Sequence, residues 1–509
     1  MLPTYLEFDA HFELRLNLRH ICQNMIPTSY SYLLRTASLM AAALLLSGCN
    51  LMQYHVNEQN AVYAPDRGYR VQSMNLAPGA SKMFVVVMFS GGGARSAALG
   101  YGVLEELARN KFEWQGKSER LFDEVDLVYG VSGGSILAAY YGLHGEDVLK
   151  EFNDKFLNVD FQDKVVSRVI SISNQWRLSS PRFGRSDLLE EQLDEALFNK
   201  ATFNDLITKR KGPFVIISAT DMSSGGRFDF MQETFDFICS DLSKFPIARA
   251  VAASSAVPLV FSPITLWNYA GSCGFNAPEP LLALEKSKGG GWSAAAARSR
   301  TRELLSYLDR EKRPFVHLLD GGLSDNLSIR GMLDMETMVG REAVRRDFHL
   351  DEMTKLVLIV VNAQNSMDHA IDQSGDVPGF SDVARAVSDI PIARYTQESE
   401  RAMQASIERW QASAKVEAQK NDRQPPDVYY INIGLKNLED EEKRRELLNV
   451  ETSLYLPKKT VADLRRAASL LMQESPDFQR LLKDLNARRS DDARLPPPVA
   501  KSIVVPSTP

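Results

Sequence analysis

The stretch MFVVVMFSGGGAR (83–95) is an apolar run that halts at Ser90 and turns through Gly91, Gly92 and Gly93. Two later stretches are built the same way: DLVYGVSGG (126–134) and FVHLLDGG (315–322). Short apolar runs rich in β-branched residues and stopped by glycine predict buried strands. Helical patterns follow the first two, ARSAALGYGVLEELARN (94–110) and GSILAAYYGL (134–143). PFVIISAT (213–220) and KLVLIVVN (355–362) are further buried-strand candidates, and RFDFM (227–231) a shorter one. Strand–helix alternation predicts an α/β chain with a mostly parallel sheet. In such a sheet the strand ends share one edge, where ligands bind.

Each of the three glycine turns carries a group suited to acyl transfer. Gly130-Val131-Ser132-Gly133-Gly134 has the spacing of a nucleophile elbow, a strained strand-to-helix turn that holds a serine hydroxyl clear of the backbone. Gly130 and Gly134 remove side chains that would collide there, and Gly133 lets the next helix start close by. Gly91, Gly92 and Gly93 let successive N–H groups converge on one oxygen, as an oxyanion requires. A phosphate loop would need Gly-Lys-Ser/Thr, which does not follow, and a dinucleotide fingerprint would want glycine where Ser96 stands. Asp320 ends the third run; alone it reads as a turn aspartate before glycine, beside the other two turns as a general base.

In that order, SGGGAR, GVSGG and DGG resemble the patatin-like phospholipases, bacterial branch. The resemblance spans about 83–330, and AVAASSAVPLVFSPI (250–264) is also similar. It implies a three-layer α/β/α fold and hydrolysis of lipid acyl esters by a serine–aspartate dyad without histidine. Carried over by position, Ser132 is the nucleophile and Asp320 the base. Gly91, Gly92 and Gly93 form the oxyanion hole, Arg95 supports that loop, and Gly321, Gly322 and Asn326 complete the DGG turn. Ser96 departs from the glycine many members have. The implied activity is of the phospholipase A or lysophospholipase type; a thioesterase or neutral-lipid esterase with the same dyad, and a non-catalytic lipid-binding envelope lipoprotein, stay open. Beyond the leader the histidines are His55, His144, His317, His349 and His369. His317 lies three residues before Asp320, so in a regular strand the two side chains face opposite ways.

The front end reads as an address. MIPTSYSYLLRTASLMAAALLLSGC (25–49) has a basic residue, a short apolar stretch and small residues before Cys49, the pattern of a secretory signal. LSGC also resembles a bacterial lipobox, which implies lipidation of Cys49 and, with Asn50 next, an outer-membrane anchor facing the periplasm. Residues 1–24 fit poorly ahead of such a signal, with Met25 an alternative start. Cys239 and Cys273 remain, and an oxidising compartment would let them bond; spacing leaves paired and free thiols both open. The net charge of −6 without a basic stripe argues against nucleic acid and against membrane binding by bulk electrostatics, which leaves the lipid anchor and an apolar site mouth; a membrane-lipid substrate is what the family resemblance implies. No His/Cys/carboxylate set has metal-ligand spacing, so neither metal nor other cofactor is expected.

The expected organisation is a leader and signal (1–48), a tether (49–82), a catalytic domain (83–365) with a surface insertion at 286–312, a helical extension with one strand (366–488) and a Pro-rich disordered tail (489–509). VYYINIG (428–434) is the strand of that extension and a candidate for the sheet edge.

Overall fold

The computed structural model describes residues 54–74, 83–114, 116–289, 291–339, 353–365, 372, 374–420, 422 and 424–490. Cys49, the leader, His349, His369 and residues 491–509 lie outside the described residues.

The strands in chain order are β1 (Met83–Phe89), β2 (Asn110–Trp114), β3 (Lys117–Arg120), β4 (Val125–Val131), β5 (Phe214–Asp221), β6 (Arg227–Asp229), β7 (Ile264–Trp267), β8 (Phe315–Leu319), β9 (Lys355–Asn362), β10 (Asp427–Gly434) and β11 (Arg488–Arg489). The main sheet runs β10-β9-β1-β4-β5-β8-β7, with β6 also paired to β5. From β10 to β5 every pairing is parallel. Both β1 and β5 are buried at every position, which is why their sequences are continuous apolar runs rather than alternating ones.

Five helices matter to the site: α1 (Gly93–Arg109), α2 (Gly133–His144), α3 (Ile247–Ser254), α4 (Phe380–Lys420) and α5 (Lys458–Glu474). The steps β1→β4 and β4→β5 move one way across the sheet, and β9→β10 moves the other way. Right-handed crossovers therefore put α1 and α2 on one face and α4 on the other. In keeping with this, α1 packs on α2 and α5, while α4 packs on the turn after β8. Every residue of α1 is buried. Its partner α5 approaches so closely that a Cβ on Gly102 would stand 2.7 Å from the Arg465 carbonyl.

Three expectations change. First, β8 is antiparallel to β5 and β7, and it overlaps β5 only at Thr220↔Leu319 and Asp221↔Leu318. The chain enters from beyond the end of β5 and runs back along it, so Asp320 still arrives at the carboxyl edge. Second, residues 54–74 of the expected tether pack on the domain. Tyr69 is fully buried, stacks on Phe214 at 4.3 Å, and its hydroxyl donates to the Val215 carbonyl while accepting the Val215 N–H. Third, the expected surface insertion is anchored: Leu304 is fully buried, and the buried Tyr307 hydroxyl donates to Asp221 at 2.9 Å. The strand expected at the sheet edge, VYYINIG, is β10, which pairs with β9 there, and α5 of the same extension covers α1. Cys239 and Cys273 form a disulfide, Cα–Cα 5.6 Å. The 54–74 segment crosses it, with the Asn60 and Tyr63 N–H groups donating to the two cysteine carbonyls.

Candidate active site

The carboxyl ends of β1 and β4 deliver the glycine loop and Ser132 side by side, because the two strands are parallel neighbours with Phe89 opposite Gly130. Ser132 sits at φ +51, a left-handed conformation that a residue with a Cβ adopts only under constraint. The constraint is close packing. A Cβ on Gly133 would lie 2.0 Å from the Gly93 carbonyl oxygen, so glycine there is what lets the two loops touch. Gly130 and Gly134 stand on either side of this turn, Gly134 against the Phe89 and Ser90 carbonyls.

Asp320 and Ser132 meet directly. The Ser132 hydroxyl donates to Asp320 Oδ2 at 2.7 Å, and the Gly322 N–H donates to Oδ1 at 2.8 Å. Both residues are buried. Burial pushes the Asp320 carboxyl up to about 6, against the opposing pull of the Gly322 and Ser132 hydrogen bonds. A carboxylate tuned toward neutrality is a better proton acceptor and is still mostly ionised at pH 7. Thr220 Oγ1 fixes the Asp320 carbonyl at 2.8 Å, and Gly321 fits closely over the Ser218 carbonyl.

The glycine loop divides its donors. The Gly91 N–H is held by the Asn326 carbonyl at 3.0 Å and the Ala94 N–H by the Ser453 carbonyl at 2.7 Å. Among the described residues no acceptor takes the N–H groups of Gly92 and Gly93, which flank the start of α1. Of the three expected oxyanion donors, Gly91 is therefore spent on Asn326, and Gly92 and Gly93 are free to act. Arg95 is buried and donates to the Ala363 and Val450 carbonyls and to Thr452 Oγ1 at 3.1 Å. Burial draws its guanidinium down to about 10, with Asp389 pulling it back up. Ser96, the departure from the family pattern, donates its hydroxyl to the Ser90 carbonyl and so ties α1 to the loop.

Among the described residues no histidine is hydrogen-bonded to Ser132 or Asp320. His317 lies on the exposed side of β8 with Nδ1 2.9 Å from Thr265 Oγ1, which makes it a surface residue rather than a core one. Sequence reading missed two contributors. Ser254 accepts the Ser132 N–H at 2.9 Å; it lies in the 250–264 stretch, where nothing local distinguishes it from its neighbours. The Val450–Ser453 segment grips the glycine loop from more than 350 residues away in sequence, and no local pattern could announce that contact.

Residues 87–333 match the family model of patatin-like phospholipase. YqhO, an uncharacterized protein of Bacillus subtilis (strain 168), is 25% identical over 302 residues, 54% of this chain and 94% of that protein. Among solved structures, human GIVD cytosolic phospholipase A2 overlays 82% of this chain at TM-score 0.40 and 12% identity. The chain spans 64% of that chain's length. VipD from Legionella pneumophila overlays 86% of this chain and 80% of its own, at TM-score 0.23 and 13% identity.

Proposed function

We propose that this chain, whose residues 87–333 are a patatin-like phospholipase domain, hydrolyses the acyl esters of phospholipids through Ser132 and Asp320. The observation that carries the reading is the 2.7 Å hydrogen bond from the Ser132 hydroxyl to Asp320, made beside two unengaged loop amides. Asp320 takes the hydroxyl proton as Ser132 Oγ attacks the ester carbonyl carbon. The Gly92 and Gly93 N–H groups receive the oxyanion; donors of this kind are worth about 10²–10³ in rate each. Collapse of the tetrahedral adduct expels the lysolipid alkoxide, which takes the proton from Asp320. Water, deprotonated by the same carboxylate, then attacks the acyl-serine carbonyl; collapse breaks the bond to Ser132 Oγ, which takes the proton back from Asp320, and the fatty acid leaves.

The test is turnover of a phospholipid ester together with labelling by a fluorophosphonate serine probe. The wild-type chain is expected to turn over and to label at Ser132, and Ser132→Ala to do neither while melting normally. Activity retained in Ser132→Ala would remove the reading.

The address belongs to the same proposal: a periplasm-facing outer-membrane protein held by acyl chains on Cys49. No helix among the described residues is long and apolar enough to cross a membrane, and the proposed retention is through that anchor. Membrane fractionation of the Cys49→Ser chain tests it, and a variant that still pelleted after a high-salt wash would place the attachment elsewhere.

A further inference from the structure

We infer that Ser254 is a positioning residue that sets the distance between the nucleophile and its base; the inference rests on the dyad proposed above. Ser254 is the last residue of α3 and fully buried. Carbonyls at a helix C-terminus lack partners within the helix, and here the DGG turn supplies them. The Ser254 carbonyl accepts the Gly321 N–H at 3.1 Å, and two residues on, the Ala256 carbonyl accepts the Asp320 N–H at 3.0 Å. The base is thus hung on the end of α3 by two consecutive amides.

The Ser254 side chain reaches the other partner. Its hydroxyl oxygen accepts the Ser132 N–H at 2.9 Å and its proton goes to the Ser218 carbonyl at 2.6 Å. A serine hydroxyl has one proton to give, and this geometry spends it on β5. One residue therefore holds the nucleophile's amide through its side chain, the neighbour of the base through its main chain, and the central strand between them. Because the Ser132 N–H is engaged by Ser254, it is not free to bind an oxyanion, which leaves that role to the glycine loop.

Removing this hydroxyl strands two groups at once. The Ser132 N–H is buried at a residue already held at φ +51, and an unpaired buried donor is costly enough to drive a backbone adjustment. Any rotation of the Val131–Ser132 peptide that finds a new acceptor swings Oγ off Asp320. A displacement of about 1 Å at a reacting atom costs on the order of 10² in rate. Substrate binding, made by other surfaces, is left alone.

The experiment compares three variants in steady-state kinetics, each verified by thermal melt, with Ser132→Ala as the control that the measured turnover belongs to the proposed dyad. Ser254→Ala is expected to lower kcat about 10–100-fold with KM within about twofold of wild type. Ser254→Cys keeps the size but offers a poor hydrogen bond, and it is expected to fall with Ala. Ser254→Thr keeps the hydroxyl and is expected to recover most of the rate. Wild-type kcat in folded Ser254→Ala, or in Ser254→Cys, overturns the inference while leaving the dyad standing. Turnover that survives in Ser132→Ala overturns the dyad and this inference with it.

Discussion

The proposed base, Asp320, and the glycine loop sit on the same sheet edge but are held by different parts of the chain. Asp320 is fixed by Thr220, Ala256 and Gly322, and its neighbour Gly321 by Ser254, all within the stretch that matches the family model. Besides the Asn326 carbonyl and the Ser96 hydroxyl, both within that stretch, the glycine loop draws supports from beyond it: Ala363 after β9, then Val450, Thr452 and Ser453 ahead of α5. Even the sheet is shared, since β9 pairs directly with β1. The proposed dyad and the frame that holds the glycine loop therefore have different boundaries. A truncation that kept only residues 87–333 would retain Ser132 and Asp320 but strip β1 of its outer neighbour.

On the base side the largest effect belongs to Asp320→Asn. Asparagine keeps the shape and the acceptor for Gly322 but cannot take the serine proton, so turnover should fall by about 10³–10⁴ or more. In the wild type, kcat/KM should lose activity on the acid side with a midpoint near the carboxyl value of about 6. Stability should move oppositely. The folded carboxyl lies above its unfolded value of about 3.9, so the native state holds the extra proton between these two values. Its contribution to stability is full below about pH 4 and is lost as pH rises through about 6. Asp320→Asn should therefore melt higher than wild type at pH 8, with the gap closing toward pH 4. A variant less stable than wild type at pH 8 would mean that the ionised carboxylate is better solvated by its neighbours than its burial implies.

How much of this was legible in the sequence follows the same division. β1, β4 and the three glycine turns could be read because a buried parallel strand leaves an unbroken apolar run and a sharp turn leaves glycine. Ser132 and Asp320 could be paired because both end such runs. The direction of β8 could not be read: its pattern of exposed and buried positions comes from pairing with β7, a four-residue strand (Ile264–Trp267) with too few residues to declare itself. Tyr69 was lost in a polar stretch that reads as linker, although its ring lies in the core. Ser254 and Thr452 were invisible for a different reason: a serine or threonine that hydrogen-bonds across the fold has no signature within its own window. Arg95 was legible as support for the loop, but not the C-terminal carbonyls it supports the loop against.

The smallest expected effect probes that last contact and sharpens the contrast between the two sides. Thr452→Val preserves volume and β-branching and deletes only the hydroxyl that receives the Arg95 Nη2 bond at 3.1 Å. Arg95 keeps its bonds to the Ala363 and Val450 carbonyls, so the loop should loosen rather than collapse. A hydrogen bond from a charged donor is worth about 1.5–3 kcal/mol when lost outright; with the other two Arg95 bonds kept, only part of that should reach the rate, a several-fold change. If the Val450–Ser453 segment aims the Gly92 and Gly93 amides, that loss should appear in kcat, since those amides meet charge only in the transition state. KM should be unchanged, and the acid limb near 6 should not shift because Asp320 is anchored independently. A rise in KM at constant kcat would instead make this segment a wall of the substrate groove, and the proposed division between base and loop supports would have to be redrawn.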